Sequence, residues 1–412
     1  MIRAAASPPK LSTLVLLTAL SVLSLNMFLP SLPNIAKDLE ADYALASLSI
    51  AGYLATTAVL QLVMGPLSDR FGRRPVLLAG LAIFVLASLG CALASDIWTF
   101  LAFRILQGAI ISGAALSRAV IRDMMPPREA ASLMGYVGMA MAVAPMLGPL
   151  LGGALDELFG WRANFFAFLT MGLAILGLCW IDLGETNTSP SETFMKQLRS
   201  YPELFRSQRF WGYALCMMFS TAAFYSFLAG APLLAAALFG MSPAALGFCL
   251  GTITAGFAIG SYLSGRYARR YSLATMMIAG RLVACAGLLL GLALFLAGFV
   301  HPLSLFGATI FVGVGNGLTI PGSNAGALSV RPQLAGSAAG LSGALTVAAG
   351  AVLTSVTGAV IDAANGAYVL LGLMLLNTVL ALLAALHVRW LDLKASLKAS
   401  KPVPEERQRA QE

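Results

Sequence analysis

Long apolar runs alternate with short polar connections along the whole chain. Runs with no charge or nearly none cover residues 11–33, 45–67, 75–94, 97–117, 131–154, 164–181, 210–232, 243–264, 272–297, 303–324, 336–360 and 367–388. A helix needs about 20 apolar residues to cross the hydrocarbon layer, and the runs are close to or above that length. Backbone in lipid must satisfy its own hydrogen bonds, so the choice is helices or a closed barrel. Continuous runs without period-2 alternation predict helices. Arg3 and Lys10 precede the first run, as in a signal peptide. Pro30 and Pro33 follow it rather than a small-x-small cleavage site, which predicts an uncleaved first helix.

The connections set the topology. With both termini in the cytoplasm, cytoplasmic segments hold 22 of the 26 basic residues, and only Lys37 and Arg162 lie outside. That asymmetry predicts the orientation. The longest connection between spans, about 182–209, divides the twelve runs into six and six. The segment Leu67–Pro75, LSDRFGRRP, recurs as Leu263–Tyr271, LSGRYARRY, with five of nine positions identical at an offset of 196 residues. Two halves in the same up-down order imply a pseudo-twofold along the membrane normal, with a substrate site between them near the midplane. The expected fold class is an all-α membrane protein of twelve transmembrane helices in two pseudo-symmetric six-helix bundles. The expected division is an N-terminal bundle over 1–184, a cytoplasmic linker over 185–209, a C-terminal bundle over 210–390 and a cytoplasmic tail over 391–412.

Composition narrows the function. The chain is 58% hydrophobic and 11% charged, with a mean hydropathy of +0.83. A soluble chain carries about 25% charged residues, so a water-soluble enzyme is excluded. The net charge of +8 sits in loops and tail, without a basic stripe, so no nucleic-acid partner is expected. The five cysteines fall in apolar runs without C-x-x-C spacing and read as small buried hydrophobes. No cofactor motif and no metal-ligand cluster is present, and no nucleophile–base set suits a membrane enzyme. Gly313-x-Gly315-Asn-Gly317 lies within a span with no strand before it, so a nucleotide-loop reading fails.

Four segments carry candidate chemistry. The short loop Gly65-Pro-Leu-Ser-Asp69-Arg70-Phe-Gly72-Arg73-Arg74 joins spans two and three as a hairpin. Its charges, with Asp123 as a partner for Arg70 or Arg73, suit a latch that holds one state of a rocking transporter closed. Positive-inside charge alone would need neither the Asp nor the glycines. Arg104, about 10 Å into span four, is costly in lipid and is expected to face the central cavity. Asn26, at a similar depth in span one, is expected opposite it. Gly148-Pro149-x-x-Gly152-Gly153 puts small residues and a proline on one helix, for close packing and a bend. Tyr53, Gln107, Tyr225 and Asn316 are polar or amphipathic groups in apolar spans, expected to contact substrate, and each fits a helix–helix contact equally well.

These motifs resemble the major facilitator superfamily. The 65–74 loop resembles its loop signature, and Leu101-Ala-Phe-Arg104-Ile-Leu-Gln107-Gly108 its intramembrane arginine motif. Gly148–Gly153 resembles the motif of its antiporter members, which implies a gating role there. Within the superfamily the chain resembles the twelve-span drug:proton antiporter branch and its Bcr/CflA-type drug-resistance exporters. Those relatives carry a carboxylate in span one where this chain has Asn26-Met27-Phe28-Leu29-Pro30, and an Arg-Asp pair matched here by Arg122-Asp123.

Asn26 cannot titrate, and no Asp or Glu lies in the middle of a run, so a driving proton has no evident carrier. Asp38 and Asp123 are the first boundary acids to consider. Arg281 is a second intramembrane arginine, which either snorkels or faces the cavity. Two cavity cations without a carboxylate suit an anionic or electron-rich neutral substrate. The expected function is export of small amphipathic drug-like compounds by rocking-bundle alternating access, with protons as a second candidate partner. The competing expectation is an uptake carrier or facilitator for an organic anion or metabolite. The expected setting is the bilayer of a bacterial inner membrane, and the expected working unit is a monomer.

Overall fold

The computed structural model describes residues 9–124, 144–145, 147–186, 204–267, 270–331, 334–362 and 365–399. Among them, ten helices are long and apolar enough to cross a membrane, and Ile97–Gly113 is a shorter apolar helix. The run 131–154 is described only from residue 144, and it continues as helix over 147–159.

Span one is the helix Leu11–Asn26, a 3-10 turn Leu29–Ser31 and a short helix Leu32–Asp38. Pro30 and Pro33 lack the N–H that an unbroken helix would use, so the break falls there. Span two, Tyr43–Phe71, stops at Gly72, whose φ of 94° few residues but glycine tolerate, and span three, Arg73–Leu93, starts at once. Asp96 caps span four, accepting from the Thr99 N–H at 2.9 Å. Hydrogen bonds from the Thr99 side chain and N–H hold its carboxyl below the usual range. Span four runs as Ile97–Gln107, a 3-10 turn Gly108–Ile110, and Ile111–Met124. Span six is Arg162–Asp182. Spans seven to twelve are Gln208–Phe239, Pro243–Tyr267, Leu273–Leu296, Pro302–Ser329, Ala335–Val360 and Gly366–Ala399.

Packing follows the repeat. Span three packs on spans four and six, and spans eight and nine both pack on span ten. Between the two sets of six, span two lies along span eleven. Span five meets span eight through bare backbone: a Cβ on Gly153 would collide with the Pro243 carbonyl, and one on Gly247 with the Pro149 carbonyl. A pseudo-twofold that exchanges span two with eight and span five with eleven makes these two contacts equivalent. Small residues also draw spans eight and ten together. Gly256 and Gly260 face the Ile310 and Val314 carbonyls, and Gly313 and Gly317 face those of Ile253 and Phe257. This i,i+4 interleaving brings the two backbones into direct contact.

Candidate functional site

Arg104 is fully buried. It donates to the Ser24 carbonyl at 3.2 Å and to the Gln107 side-chain oxygen, and Gln107 in turn donates to Ser88 Oγ at 2.7 Å. Its guanidinium carbon lies 4.1 Å from the Phe28 ring centre and 4.8 Å from that of Tyr53. Tyr53 shares a 2.6 Å hydrogen bond with Ser24 Oγ. No carboxylate bonds to this guanidinium among the described residues. Two aromatic faces and neutral oxygens hold the charge instead, the desolvated setting in which cation–π contact is strongest. Tyr53, Arg104 and Gln107 therefore come together, buried within the first half.

Asn26 is not opposite Arg104. It donates to its own helix at the Val22 carbonyl, 2.8 Å away, and packs beside Gly148. Residues two apart on a helix lie about 200° apart around its axis. Phe28 faces Arg104, so Asn26 turns toward span five. The sequence gives both residues the same depth, but the helical phase separates them.

In the second half, Arg281 is also fully buried, on span nine. It donates to Thr319 Oγ1 at 2.9 Å and to Asn316 Oδ1 at 2.8 Å, both on span ten. It does not snorkel. Gly280 and Gly315 set the distance, each facing the other's carbonyl across the two spans. Asn316 lines a cavity of about 190 Å³ with Pro145, Thr221, Phe224, Thr254 and Phe257. Of the six expected substrate contacts, Asn316 is the one that borders this cavity. Tyr225 packs its ring on Gly350 of span eleven, 5.9 Å from the Phe224 ring.

Span five reads as two stripes. Gly148, Gly152 and Asp156 face span one: Gly148 lies against Asn26 and Leu23, and Gly152 against the Met27 carbonyl. Asp156, 6% exposed, accepts from Asn34 Nδ2 at 2.9 Å and from Ser31. Pro149, Gly153 and Glu157 face span eight, where Glu157 accepts from the Ala244 N–H at 3.3 Å. Span five is thus wedged between spans one and eight. Asp156 lies just past the apolar run 131–154, and its spacing of four from Gly152 places it on the buried stripe. Asp38, by contrast, ties span one to span six through Arg162 and Trp161 Nε1.

The expected 65–74 loop shrinks to Gly72, since helix runs to Phe71 and resumes at Arg73; there Arg73 is buried and donates to Ser68, while Arg70 is exposed beside Phe71. The Glu185 carboxylate accepts the backbone N–H groups of Arg73 and Arg74, at 2.9 and 3.2 Å. Arg74 reaches the carbonyls of Leu183 and Trp180. Glu185, expected to open the linker, thus caps span three. No local sequence signal marks a partner 112 positions away. The expected roles of Gly65, Asp69 and Asp123 rest on side chains outside the described residues.

The sequence profile of the Major Facilitator Superfamily matches residues 14–355. Over 388 residues the chain is 31% identical to Multidrug resistance protein D of Escherichia coli (strain K12), covering 92% of this chain and 94% of that protein. Over 382 residues it is 28% identical to the Bicyclomycin resistance protein homolog of Haemophilus influenzae, covering 90% and 94%. Among solved structures, that of a D-xylose-proton symporter matches with a TM-score of 0.74 at 15% identity, over 92% of this chain and 96% of that one, a likeness of fold alone.

Proposed function

The chain belongs to the Major Facilitator Superfamily, and from that premise we propose that it is a secondary transporter exporting small amphipathic drug-like compounds by alternating access. The relatives named for multidrug and bicyclomycin resistance support the direction and the substrate class. The observation that carries the reading is the seam. One cavity takes its walls from spans five, seven, eight and ten, so both halves border it. Beside it, spans five and eight meet through glycine and carbonyl contacts, with the Ala244 N–H to Glu157 bond crossing the same seam. Rocking the halves about this seam alternately opens and covers the cavity. In this reading the protein sits in a bacterial inner membrane with both termini in the cytoplasm and works as a monomer. The two halves are residues 1–184 and 210–390, joined by 185–209, and the chemistry is translocation rather than catalysis.

The test is flux in everted membrane vesicles with a fluorescent amphipathic dye panel supplied in the medium. Energised accumulation above that of empty-vector vesicles supports export. Accumulation only in right-side-out vesicles, with an organic-anion substrate, establishes the uptake carrier instead.

A further inference from the structure

The two halves hold their arginines alike and end differently. Arg104 donates to the amide oxygen of Gln107, and that amide's N–H group is consumed inside the half by Ser88. Arg281 donates to the amide oxygen of Asn316 at 2.8 Å. A guanidinium has no acceptor, so the oxygen of Asn316 must face it, and the amide orientation is fixed. The Nδ2 group then has no protein partner among the described residues, and Asn316, 4% exposed, borders the cavity. Thr319 holds the guanidinium from the other side, at 2.9 Å. The remaining cavity wall is aromatic or apolar, with the Thr221 hydroxyl turned back to the Met217 carbonyl and the Thr254 hydroxyl left over. No carboxylate lines this cavity among the described residues.

We propose that this cavity is a subsite for a hydrogen-bond acceptor (a carbonyl, nitro, sulfonyl or phosphoryl oxygen) carried on an apolar or aromatic arm, and that Arg281 is the positioning residue that fixes this polarity through Asn316. The proposal rests on the transporter reading above and names the substrate chemistry of the same site. A donor on an otherwise apolar wall favours a ligand that supplies an acceptor, and the guanidinium behind it strengthens that donor. A permanent cation without an acceptor meets the same donor as a repulsive dipole. The cavity therefore selects neutral or anionic acceptor-bearing compounds over lipophilic cations.

The test compares two probes of similar shape on purified protein in nanodiscs by isothermal titration: triphenylphosphine oxide, neutral with one strong acceptor, and tetraphenylphosphonium, a cation with none. In the wild type the oxide binds at least about tenfold tighter, the scale of one hydrogen bond to a buried donor. Asn316→Asp keeps the bond to Arg281 but turns an oxygen to the cavity, and it reverses the order. Arg281→Met frees the amide to turn, so the affinity ratio collapses toward one while both probes still bind. Arg281→Lys, which keeps a cationic donor, restores part of the ratio. Equal or tighter binding of the phosphonium by wild type overturns the proposal. So does a ratio unchanged in the Asn316→Asp or Arg281→Met variants, because a merely structural role lowers both affinities together. Binding of neither probe, with dye efflux intact, overturns the subsite and leaves the transporter reading standing. Absence of all efflux overturns the transporter reading, while the binding ratio still decides the subsite.

Discussion

Arg281 and Asn316 stand 2.8 Å apart on spans nine and ten, the guanidinium donating to the amide oxygen. Arg104 and Gln107 make the same kind of pair within span four. Each half thus neutralises a membrane-buried arginine with an amide dipole and hydroxyl or aromatic neighbours rather than with a carboxylate. This arrangement leaves the charge permanently in place, since arginine does not release its proton in a protein. The arginines can orient dipoles and hold helices, and the titrating chemistry must reside elsewhere.

Arg104 is expected to be intolerant of change. Arg104→Ala removes the group between Phe28 and Tyr53 and leaves the Ser24 carbonyl and Gln107 without their donor. Arg104→Lys keeps the charge but loses the planar stack, so rescue is incomplete, with efflux still down by about tenfold or more. Vesicle efflux measured against membrane abundance checks this. Full efflux by Arg104→Lys would show that only the charge matters.

The seam is expected to fail on adding volume. Gly153→Val drives a branched side chain into the Pro243 carbonyl. Spans five and eight must separate, and a cysteine placed at Ser47, which abuts Gly358 across the other contact, becomes more reactive toward a membrane-impermeant maleimide. Efflux falls severalfold while the protein still inserts. Unchanged labelling of the Ser47 cysteine would mean that the two contacts do not open together.

Coupling is expected to pass through Asp156. Asn26 cannot bind a driving proton, and Asp38 is held by Arg162. Asp156 is a buried acid between the span-one break and the seam, with neutral partners Ser31 and Asn34, and with Glu157 the nearest charge. A proton that drives export must be taken up from the outer side and released to the cytoplasm, and in the orientation proposed above Asp156 lies at the outer end of span five. Asp156→Asn should abolish the part of proteoliposome flux that depends on an imposed pH gradient, whereas Asn26→Asp should leave it unchanged. Gradient dependence surviving in Asp156→Asn moves the proton site elsewhere.

Glu185 is expected to matter for stability before transport. Its carboxylate caps the start of span three, and Glu185→Gln retains the shape but weakens the charge–dipole contact. Loss of about 0.5–2 kcal/mol is typical for a missing helix cap. Thermal melting of the detergent-solubilised protein measures it, and a melting point equal to wild type would assign the linker start no structural role.

The spans, their order and the repeat were legible in the sequence because lipid enforces them locally. Each span must be apolar over its length whatever its neighbours do, and the loops must carry the charge. The tight turn at Gly72 and the close packing of the glycine–proline motif of span five were likewise readable, since close approach needs glycine in the chain itself. Azimuth was not readable. Asn26 and Arg104 match in depth, yet the side chain of Asn26 turns toward Gly148 because helical phase, not depth, chooses the neighbour. The same holds for Tyr53 and Gln107, polar residues that surround Arg104 inside one half. In an apolar span, any polar residue serves a buried charge or a ligand equally well until packing decides. Only the tertiary structure set Arg281 against Asn316, tied Glu185 to a helix start far away in sequence, and buried Asp156 against span one, because each pairing joins elements that meet only when the helices pack.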